Sequence, residues 1–319
     1  MYPLASFNRT WRPFGTKNWE MYMPPPRPQP HGLLTGAGLN GLDSYWDGSC
    51  CVQSFSESVT ARLRIWYEKE AELDEDLWYD PASFEVNLTE LIHMAAAHGV
   101  LTQTGSSEIG LGLLAATVGI PLEGYLLPYH HQRSPPTAGR TTYAHGITST
   151  LYKAAPLQLG ATTKQIEASM AYREHLCDCI DRGPFHASFR VQSHYFQRRP
   201  PLEPYTRRWD APTRLSRLSR QEESIQPEHS ITLYGYDCPN GNVSSLVLNY
   251  QENALVQGHT PEQGLARRHV IDAEAIDWYA EPDVSNVSFN TTLGRFPEDT
   301  RRPKSKWEDV VDSFQSLLS

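Results

Sequence analysis

An α+β fold, with helices first and strands after, is what this 319-residue sequence predicts. Three observations carry that expectation. A stripe of apolar residues at helical spacing opens at an adjacent cysteine pair, two more apolar segments follow it, and a hairpin-like stretch lies beyond residue 228. The first helix is read from Val52, Phe55, Val59, Leu63 and Trp66, which step by three or four and mark one face over about four turns. It begins directly after the Gly-Ser turn of "DGSCCVQSF" (47–55). A second helix runs through "NLTELIHMAAAHG", where Asn87 and Glu90 have capping-box spacing and Gly99 marks the stop. A third apolar segment, "IGLGLLAATVGI", ends at Pro121.

The second half changes character. A helix spans Ile166 to Ile180, and "GPFHASFRV" (183–191) then breaks at Gly-Pro and alternates roughly, as a strand does. "HSITLYGYDCPNGNVSSLVLNY" (229–250) reads as two strands joined by a tight turn at Asn240-Gly241. Residues 1–39 form a proline-rich, extended N-terminal segment ending in "MPPPRPQPHG" and its neighbours. Seven arginines between Arg198 and Arg220, with several prolines, mark an insertion over 197–227 that suits a solvated surface segment or a flap for an anionic group. Residues 273–319 are read as a C-terminal extension ending in a short amphipathic helix, "SKWEDVVDSFQSLLS". No internal repeat is visible.

A formal charge of −9 argues against nucleic acid as the main partner, and no apolar run is long enough to span a bilayer. The opening residues lack a basic n-region and an apolar h-region, and the five cysteines form an odd, unpatterned set. Both point to a cytoplasmic protein with reduced thiols, although N-x-[ST] triplets occur at Asn8, Asn87, Asn242, Asn286 and Asn290. No metal site and no cofactor are read. Cys177-Asp178-Cys179 lacks a second ligand pair, and Cys177 is expected to face the core. "YHHQ" (129–132) reads as exposed loop and "EKEAELDEDLW" (68–78) as a solvated helix end.

The cysteine pair carries the chemistry. A thiol attacks carbonyls as thiolate, and a helix N-terminus lowers its pKa through unpaired N–H groups and the helix dipole. Cys50 holds that position. A histidine must pair with the thiolate and later protonate the leaving group, and a third group must orient the ring. His229 begins the first hairpin strand and Asn249 ends the second. Antiparallel pairing lets the two touch, with the Asn amide oxygen fixing the imidazole tautomer.

On these residues the chain resembles the papain-like cysteine proteases. "GSCCVQSF…TARL" resembles their active-site helix, "GSCWAFS". "HSITLYGYDCPNGNVSSLVLNY" is similar to their His- and Asn-bearing hairpin, "LLAATVGIPLEGYLLPY" to their helix and "YPY" region, and "CIDRGPFHASFRV" to their helix and Gly-Pro strand. The resemblance covers about residues 40–272. It implies a papain-like two-lobe fold: a helical lobe (about 40–130), a β-barrel-like lobe (about 160–272), and an active site in the cleft between them. It implies Cys50 as nucleophile, His229 as general acid/base and Asn249 as orienter, with acyl transfer through a thioester. Cys51 would replace the family's Trp; shifting the match by one residue breaks it and the "TARL" correspondence.

The chain departs from the family pattern in several places. The oxyanion Gln expected six residues before the cysteine is Ser44, with Asn40 and Ser44 as candidate substitutes. Tyr250 and Gln251 stand where the family has an indole after its Asn. "TGSSEIG" (104–110) matches the family's substrate-pairing loop only loosely, which makes Gly105, Ser106 and Ser107 candidate substrate-binding residues. A pro-region and the family's disulfide cysteines are missing. The expectation is therefore a divergent cysteine hydrolase or peptidase acting on a peptide, protein or small acyl substrate, without nucleic-acid or membrane partners. The alternatives are an acyl transferase or amide-forming (cyclising) enzyme of the same fold, and an inactive interaction protein.

Overall fold

In the computed structural model, which describes residues 15–25, 49–73, 84–102, 105–123, 140–157, 160–190, 204–206, 228–238, 241–252 and 269–293, the apolar stripe forms helix α1 (Cys50–Leu73). Val52, Phe55, Val59 and Leu63 are fully buried, and Trp66 packs at the margin of their cluster. The helix runs 24 residues, past the stripe, because "YEKEAEL" continues it with good helix formers. Helix α2 (Leu88–Ala97) starts where the Asn87 side chain accepts from the Glu90 N–H at 2.9 Å, and the chain leaves it at Gly99 (φ +68°). Glu90 accepts from the Tyr143 hydroxyl at 2.6 Å. Two short strands, β2 (Leu101–Thr102) and β3 (Gly105–Ser106), precede helix α3 (Glu108–Thr117), which Ser107 caps by accepting from Gly110 N–H. Apolar residues of all three helices meet in one cluster.

Strand β4 (Ile120–Leu122) pairs with β5 (Arg140–His145), and β5 pairs with β12 (Ser288–Leu293) in a three-stranded sheet. The larger, seven-stranded sheet joins β6 (Thr148–Lys153), β7 (Phe185–Arg190), β8 (Glu228–Asp237), β9 (Val247–Gln251), β10 (His269–Asp272) and β11 (Trp278–Asp283) in the order β10-β9-β8-β7-β11-β6. β1 (Thr16–Asn18) is added along β8. Among the described residues this sheet is open. That corrects the barrel-like expectation: nothing pairs β10 with β6, and the faces are covered instead of closed. Helix α4 (Thr163–Arg182) buries Tyr172, Leu176, Cys177 and Ile180 against the sheet, so Cys177 faces the core as its helical position suggests. β7 and β8 are buried on both faces, which is why "FHASFRV" alternates only roughly.

The contact between α1 and this sheet is polar. Thr232 donates to Glu57 at 2.6 Å, and Arg62 donates to the carbonyls of Gly183 and Pro184 and pairs with Glu281 at 3.1 Å. Arg182 holds the other oxygen of Glu281 at 2.7 Å. Both Arg62 and Glu281 are buried, so Glu281→Ala would strand a buried guanidinium. The expected loss is roughly 3–5 kcal/mol of folding free energy, measured as a lowered urea midpoint.

Two further corrections concern the second half. The hairpin connection is not a two-residue turn. β8 ends at Asp237 and β9 begins at Val247, with a 3-10 turn at Val243–Ser245 between them, and the β8–β9 register slips between Leu233 and Gly235. A Cβ at Gly235 would stand 2.7 Å from the Lys17 carbonyl oxygen, so β1 can lie against β8 only beside a glycine. Within the segment read as a C-terminal extension, β11 lies inside the large sheet, between β7 and β6. Of the Arg/Pro-rich insertion, residues 204–206 are described: Tyr205 is buried and bridges to Ile271. "YHHQ" and the terminal helix lie outside the described residues, as does the acidic stretch beyond residue 73.

Candidate active site

Cys50 is the first residue of α1, and the preceding Ser49 carbonyl already accepts from Gln53 N–H at 2.9 Å. Its sulfur therefore sits where the helix presents N–H groups without intrahelical partners. His229 stands near the start of β8, almost fully buried, with the edge of Phe189 against its ring. The Cys50 thiol and the His229 ring are hydrogen-bonded. On its other side the ring meets Glu252: Nε2 lies 2.7 Å from Oε1, and the carboxylate is itself buried. With Nε2 committed to Glu252, Nδ1 is the nitrogen left for sulfur.

The electrostatics follow from that geometry. Burial pushes the Cys50 thiol up, but the hydrogen bond and charge of His229, with a backbone contribution from Ser230, outweigh it and leave the pKa lowered. Burial likewise disfavours a charged His229. The Glu252 carboxylate and the Cys50 sulfur more than offset this and raise the ring to about 10. The combination favours the thiolate–imidazolium pair over the neutral pair. Cys51 differs in each respect. It is buried, its thiol contacts Glu108, and burial followed by the Glu108 charge pushes its pKa up. Cys50 is the half-buried, activated member of the pair.

The structure brings Cys50 and His229 together and leaves Asn249 out. Asn249 pairs across from Gly235 on β8 and from Val270 on β10, well along the strand from His229. Three residues before Glu252 on an extended chain, it also points to the opposite sheet face. The residue that touches the imidazole is Glu252, just past the end of β9. The sequence carries no local signal for it, because the observed β8–β9 pairing, with Thr232 opposite Gln251, differs from the register of a tight turn at Asn240-Gly241.

Gly105 and Ser106 form β3, and Ser107 caps α3. Ser106 lies near enough to the Cys51 thiol to act on it electrostatically, although its buried hydroxyl has no hydrogen-bond partner among the described residues, so this loop lies beside the second cysteine. The candidate oxyanion residues Asn40 and Ser44 lie outside the described residues. No helix among the described residues is long and apolar enough to cross a membrane.

Neither a protein-family model nor a curated protein matches the sequence. Among solved structures, the chain is similar to proCathepsin B S9 from Trypanosoma congolense, with 9% identity, 74% of this chain and 69% of that chain covered, and a TM-score of 0.35.

Proposed function

We propose that the chain is a papain-type cysteine hydrolase, with Cys50 as nucleophile, His229 as general acid/base and Glu252, in place of the expected Asn249, as the group that holds the ring. The observation that carries this reading is the unbroken line of contacts from sulfur to imidazole to carboxylate. In this reading the Cys50 thiolate adds to an amide or ester carbonyl, and the carbonyl oxygen takes up the negative charge near the first-turn N–H groups of α1. As the intermediate collapses, the imidazolium of His229 gives its proton to the leaving amine or alcohol, and a thioester to Cys50 remains. His229 then takes a proton from water, whose oxygen attacks the thioester and releases the acid and the thiolate.

A carboxylate behind the imidazole distinguishes this site from an Asn-oriented one. It adds a full negative charge and so favours the protonated ring. In the proposed architecture the α1–α3 cluster and the sheet with α4 form the two walls, and Cys50 and His229 face each other from them.

A thiol-reactive epoxide of the papain-inhibitor class tests the proposal. Stoichiometric modification mapped to Cys50 by mass spectrometry at neutral pH is expected, and an unmodified protein contradicts it. Product analysis with and without an added amine then identifies the acceptor. Release of free acid supports hydrolysis, whereas amide product with negligible acid assigns the site to acyl transfer.

A further inference from the structure

Behind the nucleophile lies a second cluster that the proposed reaction does not use. Cys51 from α1, Glu108 from the first turn of α3 and His186 from β7 converge, with one ligand atom from each within 4.8 Å of the others. Glu108 bridges the other two. One oxygen contacts the Cys51 thiol, and the other contacts Nε2 of His186. Cys51 is 4% exposed and His186 1%, with the ring edge-on to Phe55 and to Trp278. The other ring nitrogen, Nδ1, has no hydrogen-bond partner among the described residues, so Glu108 is the only polar group seen to engage this buried imidazole.

We propose that Cys51, Glu108 and His186 form a binding site for a divalent transition-metal ion, zinc by chemistry. Three arguments lead there. A thiolate and an imidazole are ligands for zinc-like ions, whereas calcium and magnesium favour all-oxygen sets. A four-coordinate ion about 2.0–2.3 Å from each ligand sets the ligand atoms roughly 3.3–3.8 Å apart, and side chains whose ligand atoms already lie within 4.8 Å of one another reach that spacing by small rotations. Three protein ligands also leave a fourth position for water, or for the nearby Ser106 hydroxyl, which is buried without a hydrogen-bond partner among the described residues. Binding replaces the Cys51 S–H and any proton shared by His186 and Glu108 with bonds to the ion, and those protons leave to solvent. The ion would tie the first turn of α1 to α3 and β7, immediately behind Cys50. Sequence spacing hides such a site, because its ligands are 57 and 78 residues apart.

Cobalt(II) titration of the full chain carrying Cys50→Ala tests this, because the substitution removes the adjacent thiol of the pair, and loss of the signal with Cys51 separates the cluster from the remaining cysteines. One equivalent of Co²⁺ is expected to bind, with a thiolate-to-cobalt charge-transfer band and the visible bands of a four-coordinate ion, and Zn²⁺ should displace it. Adding Cys51→Ser should abolish the charge-transfer band. Glu108→Gln, which preserves shape, should weaken Co²⁺ affinity by at least about 100-fold and covers the case in which the serine variant fails to fold. Substoichiometric binding in the Cys50→Ala protein, a band that survives the loss of Cys51, or a band present only while Cys50 is intact would each overturn the site.

Discussion

Cys50→Ala is expected to abolish epoxide labelling and to lower turnover by on the order of 10⁴–10⁶, while Cys51→Ala keeps stoichiometric labelling. The asymmetry follows from the environments of two adjacent thiols. Cys50 is half-buried and paired with an imidazole whose charge Glu252 favours, which lowers its pKa and favours its thiolate. Cys51 is buried against a carboxylate, which keeps its proton on and its sulfur out of reach. Intact-mass measurement of each variant after exposure to the epoxide separates the two. Labelling that follows Cys51 would reverse the assignment.

The second large effect is expected at Glu252. Glu252→Ala should reduce acyl transfer by about 10²–10⁴, because the ring loses both its orientation and the charge that favours its protonated form, whereas Asn249→Ala should leave the rate close to wild type. The milder Glu252→Gln keeps a hydrogen-bond acceptor and removes the charge, so its effect appears in the pH profile. In the wild type the imidazolium is expected to persist until about pH 10, which would set the alkaline limb of an activity that needs a protonated His229. Removing a negative neighbour makes that proton easier to lose, so the limb should move to lower pH, by roughly one to three units. Steady-state rates across pH measure it. A limb that stays in place, or a large loss in Asn249→Ala, would return the orienting role to the carboxamide.

Much of this site was legible from local pattern. The three- and four-residue spacing from Val52 to Trp66 placed a helix start at the cysteines, and the apolar, turn-flanked run after residue 228 placed His229 near the start of a strand. Helix α2 was legible for the same reason, since Asn87 and Gly99 act on their own neighbours. What sequence could not supply was register. Whether Asn249 or Glu252 meets the ring depends on the slip between Leu233 and Gly235 and on the connection between Asp237 and Val247. Both are set by tertiary packing, with Gly235 there to admit β1. The Cys51–Glu108–His186 cluster was hidden for a related reason: its members come from three separate elements. The strand at 278–283 has Trp278 and Tyr279 as β-formers, but Pro282 and two acidic residues weakened its signal, and its neighbours β6 and β7 are far away in sequence.

Nitrogen-15 NMR of the His229 ring tests the sulfur–imidazole–carboxylate line most directly. Both ring nitrogens should carry protons at pH 8, and the proton should be released only near pH 10, against an ordinary value of 6.5. A His229 ring that is neutral at pH 8 and titrates in the ordinary range would contradict the account.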